Sequence, residues 1–310
     1  TLDNMWLASY FVTDPARCPS WSGFNQTVCQ GQFEVSRIDI LPFVNPDPNQ
    51  PDTLYSALSY VQESSIKYEL GLVPVTFDQP LYIKAAEIVE SSPDLTNIFV
   101  RLGGFHFVMS YLGSMGAIMN DSGLRNQWET VYAHNSVNHM LTGHAYARAL
   151  RAHMLSVASL VGHLFDTPNC LSGVNLNKVK SLHDMLLKHM CLPQVLTEEH
   201  AITQLSQIMD DLQQDESMSS RTGKLWIEYL TMVIFMLLFI RAERTGNWEL
   251  HLYCIAKMIP VLHAGGHTAY AKSSRLYLDQ MKNLNTIVGR DQFAKYTSDG
   301  YWTIRRSNRF

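Results

Sequence analysis

The side chains able to do chemistry fall into three groups. Asp78 closes an apolar, β-branched run, LVPVTFD at 72–78. A carboxylate at the carboxyl end of a buried strand faces the crevice where open α/β sheets place their sites. It must there be hydrated, hydrogen-bonded or metal-bound. One reading is a ligand to a divalent cation. The other is a helix N-cap, since Pro80 suits the first turn of a following helix; the two are compatible. His106 follows a second apolar run, NIFVRL at 97–102, across Gly103-Gly104-Phe105. The glycines allow a close approach by the Asp78 loop or a substrate phosphate. His106 reads either as a site histidine beside Asp78 or as a satisfied interior histidine. The third group is Glu243, Glu249 and His251 in RAERTGNWELHL at 241–252. Gly246 separates two helices and Asn247 suits a cap for the second. Glu249 is then a first-turn carboxylate favoured by the helix dipole. Glu243 reads equally as part of a surface charge cluster with Arg241 or Arg244.

Basic residues form two modest clusters. Arg148 and Arg151 share a helical face one turn from His144. Residues 290–310 hold five Lys and Arg against two Asp, a net of +3, with Tyr296, Tyr301 and Trp302 interleaved. Arg305 and Arg306 in that stretch, with Arg148 and Arg151, are candidates for phosphate pairing and base stacking; a solvated face is the plainer reading. The phosphate-binding GxxxxGK[ST], GxGxxG after a strand, HExxH and GxSxG are absent. The Gly265-Gly266 pair between His263 and His267 argues against a helical zinc pair.

These groups need elements to hold them. Strand–helix–strand–helix over 72–119 reads as a βαβ unit with a parallel sheet. Residues 6–12 and 35–44 read as strands, 53–63 as a helix, and 300–310 as a terminal strand. Between 120 and 262 helical spacing dominates, at 124–132, 137–165, 179–188, 197–214, 223–245 and 248–262. Residues 198–216 carry six acidic side chains and no Lys or Arg, which reads as a solvated stretch. The fold class is therefore α/β with α predominant, a small mixed sheet beside a large helical mass with its own core.

Composition bounds the function. The 310 residues are 46% hydrophobic and 17% charged, with 24 basic against 28 acidic side chains, net −4. That is a globular balance, and it excludes a disordered chain and a uniformly basic nucleic-acid coat. The five cysteines are odd in number and lack a CxxC pair, which argues for reduced, intracellular thiols rather than a disulfide framework or structural zinc. No secretory signal is read, and the longest apolar run, 231–240, is half of the ~20 residues a span needs, so no membrane partner is expected. Thr1 at the start and a strand-like run at Phe310 read as a piece of something longer.

Three segments carry a resemblance. VTFDQPLYIKAAEIV (75–89), IFVRLGGFHFVMSYLGSMGAIMNDSGL (98–124) and FIRAERTGNWELHLYCIAKMIPVLHAGGHTAYAKSSRLYLDQM (239–281) resemble a widespread family of proteins derived from mobile DNA elements. The likeness extends through 125–155 and touches roughly half of the chain. It implies a DDE-type, transposase-like protein with an RNase H-like core. Such a core holds two Mg²⁺ (or Mn²⁺) ions on three acids and cleaves or transfers phosphodiesters. On that basis Asp78 is one acid, Glu249 the last acid with Glu243 as its fallback, and His106 the neighbour of the second. The resemblance further implies DNA as partner, a nuclear location, and room for a homo-oligomer. The chain departs from the family where an Asp/Asn-rich motif supplies the first acid: only Asp3-Asn4 and Asp39 are available, with Asp39 in RIDIL as the substitute metal ligand. The implied layout is 1–122 as the α/β core part, 123–240 as a helical insertion, and 241–310 as closing helices and strand. Asp78 and Glu249 converge within ~4–6 Å if the active site is complete. Otherwise the chain is a fragment, an inactive descendant, or a non-catalytic helical module that binds DNA or protein.

Overall fold

A computed structural model describes residues 2–12, 18–28, 35–40, 47, 49–166, 174–188, 200, 203–204, 207–208, 211, 220–298 and 302–304. In chain order the elements are α1 (Leu2–Val12), α2 (Trp21–Val28), α3 (Pro51–Lys67), β1 (Val73–Phe77), α4 (Gln79–Ser91), β2 (Ile98–Leu102), α5 (Gly104–Ile118), α6 (Leu124–Glu129), α7 (His134–Leu141), α8 (Tyr146–Phe165), α9 (Leu176–Leu187), α10 (Arg221–Thr245), α11 (Trp248–Ala264), α12 (Thr268–Lys282), α13 (Leu284–Val288) and α14 (Arg290–Ser298). The protein is mostly helical, and its described sheet is the parallel pair β1–β2.

The βαβ unit stands as the sequence suggests. Val73 pairs with Ile98 and Phe77 with Leu102. Asp78 caps α4, its carboxylate accepting from Leu81 N–H at 3.3 Å. All five residues of β2 are buried, as in a strand covered on both faces.

Four expectations change. Residues 6–12 belong to helix α1, where Met5 through Ser9 are all buried. A continuous apolar run has no period to separate strand from helix, and here α8 and α9 both pack on α1. Residues 35–40 are not strand, and 41–44 lie outside the described residues. The helix expected over 137–165 breaks between α7 and α8. Gly143 there takes a φ of 80°, and a Cβ on it would overlap the Met109 carbonyl of α5. The expected terminal strand also fails at 302–304, which form a turn, while the rest of 300–310 lies outside the described residues.

The core joins α10 and α11 to α5, α8 and α12. By length and composition α10 is apolar enough to cross a bilayer, yet 61% of its most apolar stretch is buried against neighbouring helices, which fits a central core helix. Ser220 caps it, accepting from Gly223 N–H at 2.9 Å. Near its far end Arg241 forks onto Asp3 of α1, with both Nη–Oδ distances at 2.6 Å, while its Nε donates to Asn25 at 2.9 Å. Trp21 Nε1 donates to the same Asp3 at 2.7 Å. Such bidentate geometry, with the remaining lone pair filled, is what makes a buried ion pair tolerable.

Candidate functional site

The carboxyl edge of the sheet gathers part of the expected set. Gly103 N–H donates to the Phe77 carbonyl at 2.7 Å, which sets the start of α5 beside the Asp78 cap. A Cβ on Gly103 would stand 3.0 Å from that carbonyl oxygen, and one on Gly104 would stand 3.1 Å from the Glu243 carboxylate. The Gly-Gly pair is thus a fitted approach, by the strand end on one side and by Glu243 on the other.

Glu243 arrives there because α10 and α11 form a hairpin. Gly246 ends α10 with a φ of 73°, a left-handed cap that glycine adopts without strain. Asn247 then caps α11, accepting from Leu250 N–H at 3.0 Å. The chain returns to set His251 Nδ1 2.8 Å from Glu243 Oε1. The contact is close but bent, and neither atom has an aligned hydrogen bond. His251 Nε2 lies 3.2 Å from the Tyr277 hydroxyl. Arg101 closes the ring: Nη2 is 3.7 Å from Glu243 Oε1, Nε donates to Tyr277 at 3.5 Å, and Nη1 donates to the Trp302 carbonyl at 2.6 Å. The Trp302 ring also lies under the Arg101 guanidinium at 5.0 Å and packs at a tilt against His251, with ring centroids 4.8 Å apart.

Electrostatics assigns the protonation states. Burial works against an ionised Glu243, but His251 and Arg101 outweigh it and hold the carboxyl below its usual range. Burial pushes His251 down, with Glu243 opposing in part and Arg101 assisting. Burial raises the Tyr277 phenol against the pull of Arg101. The network is therefore an ionised Glu243, a neutral His251, a protonated Tyr277 and a cationic Arg101. With His251 Nδ1–H toward Glu243, its Nε2 accepts from Tyr277. Glu243 is the member that reaches solvent, 29% exposed against 1% for His251.

The other candidates scatter. His106 is exposed in the first turn of α5 against the Phe105 ring. Glu249 is exposed too; two residues before His251, it lies about 200° around α11, so the helix turns it away from the face that meets Glu243. Asp39 is exposed and paired with Arg37 at 3.1 Å. Arg148 donates to Ser136 at 2.8 Å, and Arg151 is exposed on α8. Arg305 and Arg306 lie outside the described residues. Among the described residues, no three His, Cys, Asp or Glu side chains are grouped to share a cation.

Sequence reasoning missed Arg101 and Tyr277, and it read Trp302 as a nucleic-acid stacking residue, whereas here it packs on Arg101 and His251. Arg101 had a signal: a charged side chain inside a wholly buried strand requires a counter-charge.

The comparisons with known proteins bear on the whole of this region. A family model described as a domain of unknown function, DUF8702, matches residues 20–310. The chain belongs to this family. The matched DUF8702 span takes in both strands, the Gly103-Gly104 approach and the α10–α11 hairpin. No curated protein and no solved structure matches the chain.

Proposed function

We propose that this DUF8702 chain is a non-catalytic, mostly helical binding module, built on the outline of a mobile-element protein and directed at a protein partner. The observation that carries the reading is the engagement of Glu243. Its carboxylate is the expected acid that reaches the sheet edge from outside the βαβ unit, and it is already neutralised by Arg101 and contacted by His251. A guanidinium 3.7 Å from Glu243 Oε1 offsets part of the attraction that the carboxylate would exert on a divalent cation. Asp39 is likewise engaged, as a partner of Arg37, while Asp78 caps α4 through one oxygen; among the described residues no three acidic, His or Cys side chains gather around a common point. So placed, these acids do not fit a two-cation site.

The test is calorimetric titration with MgCl₂ and MnCl₂, beside incubation with supercoiled plasmid and hairpin DNA. The expected result is no saturable heat and no cleavage. Metal-dependent cleavage that Asp78→Asn and Glu243→Gln both abolish overturns the reading.

One observation favours a second reading, a metal-dependent phosphodiester reaction on DNA with a nuclear location. Asp78 follows the carboxyl end of β1, and Glu243 of α10 reaches the carboxyl end of β2 beside Gly104, which is where such sites are built. That reading requires Arg101 to release Glu243 when the cation binds.

A further inference from the structure

The ladder register fixes which backbone groups of the sheet lack partners. Val73 N–H bonds to the Asn97 carbonyl and Gly103 N–H to the Phe77 carbonyl. With Val73 opposite Ile98 and Phe77 opposite Leu102, Phe99 and Arg101 direct their N–H and C=O toward β1. In a parallel ladder the alternate residues direct theirs the other way. Ile98, Val100 and Leu102 therefore present donors and acceptors on the outer edge of β2. Among the described residues none of these groups has a hydrogen-bond partner, although the three residues are only 3–6% exposed. Buried, unpaired main-chain groups are costly and rare. The opposite edge of the sheet is blunted, because its outward residues are Pro74 and Thr76 and proline has no N–H to offer.

The open edge is also the floor of a cleft. Ile98, Phe99 and Val100 line a cavity of about 380 Å³, walled by Val89 of α4 and by Met281, Leu284 and Ile287 of α12 and α13. Ile287 is 67% exposed at its rim. Glu90 is its one charged lining residue.

We propose that this cleft binds an extended segment of a partner polypeptide as a third strand beside β2. The segment is apolar at alternate positions and carries a Lys or Arg that meets Glu90. The unpaired main-chain groups ask for a peptide backbone, the Val89–Met281–Leu284–Ile287 wall for apolar side chains, and Glu90 for a cation. The cleft reaches three residues of β2, Ile98 to Val100, about 10 Å at the usual rise per residue, so the match is a segment of three to four residues. Addition of a strand to an unpaired sheet edge, here reached through the cleft, takes affinity from main-chain bonds and specificity from alternate side chains. The inference rests on the binding-module reading and names its site.

The experiment selects from a displayed library of random twelve-residue peptides on the full chain, then measures the enriched peptide by fluorescence anisotropy. The expected consensus alternates apolar residues and contains a basic one. Ile287→Asp, at an exposed position, weakens binding at least tenfold. Glu90→Lys shifts the selection from basic to acidic peptides. N-methylation of the peptide at alternate residues abolishes binding in one register and is tolerated in the other. No enrichment, tolerance of methylation in both registers, or equal binding by both variants overturns the proposal. A concentration-dependent dimer that Ile287→Asp dissolves assigns the edge to a second copy and overturns it too. Metal or nuclease activity would overturn the non-catalytic reading and leave this peptide measurement standing by itself.

Discussion

His251 and Glu243 face each other across the α10–α11 turn, with imidazole Nδ1 2.8 Å from carboxylate Oε1. The pair makes stability sensitive to acid. Glu243 is held below its usual range in the folded state, so its contribution is full above the unfolded value near ~4.3 and is lost as pH falls through the lower folded value. His251 is pushed down as well. The unfolded chain therefore takes up that proton first, and stability declines as pH drops below ~6.5. Melting temperature should be level from pH 8 to about 6.5 and fall steadily below it. Glu243→Gln leaves Arg101 without its counter-charge and should cost on the order of 2 kcal/mol at pH 7 in urea unfolding. A variant as stable as the parent would show that Arg101 is balanced elsewhere.

Asp3 and Arg241 tie the first helix to the central one across 238 residues of sequence. Removing one member leaves a buried charge without its partner, so Arg241→Ala should lose about 3–5 kcal/mol. Replacing both together, Asp3→Leu with Arg241→Met, should recover part of that loss, because an apolar pair avoids the charge desolvation cost, while Trp21 Nε1–H and Asn25 Oδ1 lose the bonds they make to the pair. Urea midpoints of the two singles and the double provide the coupling energy; additive losses would deny the pair.

What the sequence could and could not say follows from range. The β1–α4–β2 unit, the Asp78 cap and the Gly246-Asn247 break are local patterns, and each stands where residue types place it. The ring around Glu243 joins residues from β2, α10, α11, α12 and the Trp302 turn, and no local period records such a meeting. Glu249 illustrates the limit. Its place in the first turn of a helix was readable, but which face meets the sheet depends on how α10 and α11 pack. Residues 6–12 failed for the opposite reason, being apolar on every side.

Gly116 provides a test in which two effects of opposite sign compete. In an exposed helix, Gly→Ala stabilises by about 1 kcal/mol. Here a Cβ would run into the Leu141 backbone carbonyl, and main chain cannot swing aside as a side chain can. Gly116→Ala in α5 should therefore destabilise, by about 1–3 kcal/mol. Gly162 in α8 has nothing within 4 Å of such a Cβ, so Gly162→Ala should stabilise. Thermal unfolding of the two variants should move in opposite directions; movement in the same direction would mean that the α5–α7 contact is looser than its geometry.

His153 is completely buried, its Nδ1 2.8 Å from the Tyr229 hydroxyl and its ring edge-on to Trp128. Burial pushes its pKa from 6.5 down to about 3. The folded protein therefore holds it neutral over the range in which the unfolded chain protonates it. Stability should fall by up to about 1.4 kcal/mol per pH unit below the unfolded value. His153→Phe keeps an aromatic ring against Trp128 and removes the titration, so its stability should vary less between pH 6.5 and 5 than that of the parent. Imidazole proton shifts followed by NMR should stay constant for His153 from pH 8 to about 4.5. A midpoint near 6.5 would mean that water reaches the ring.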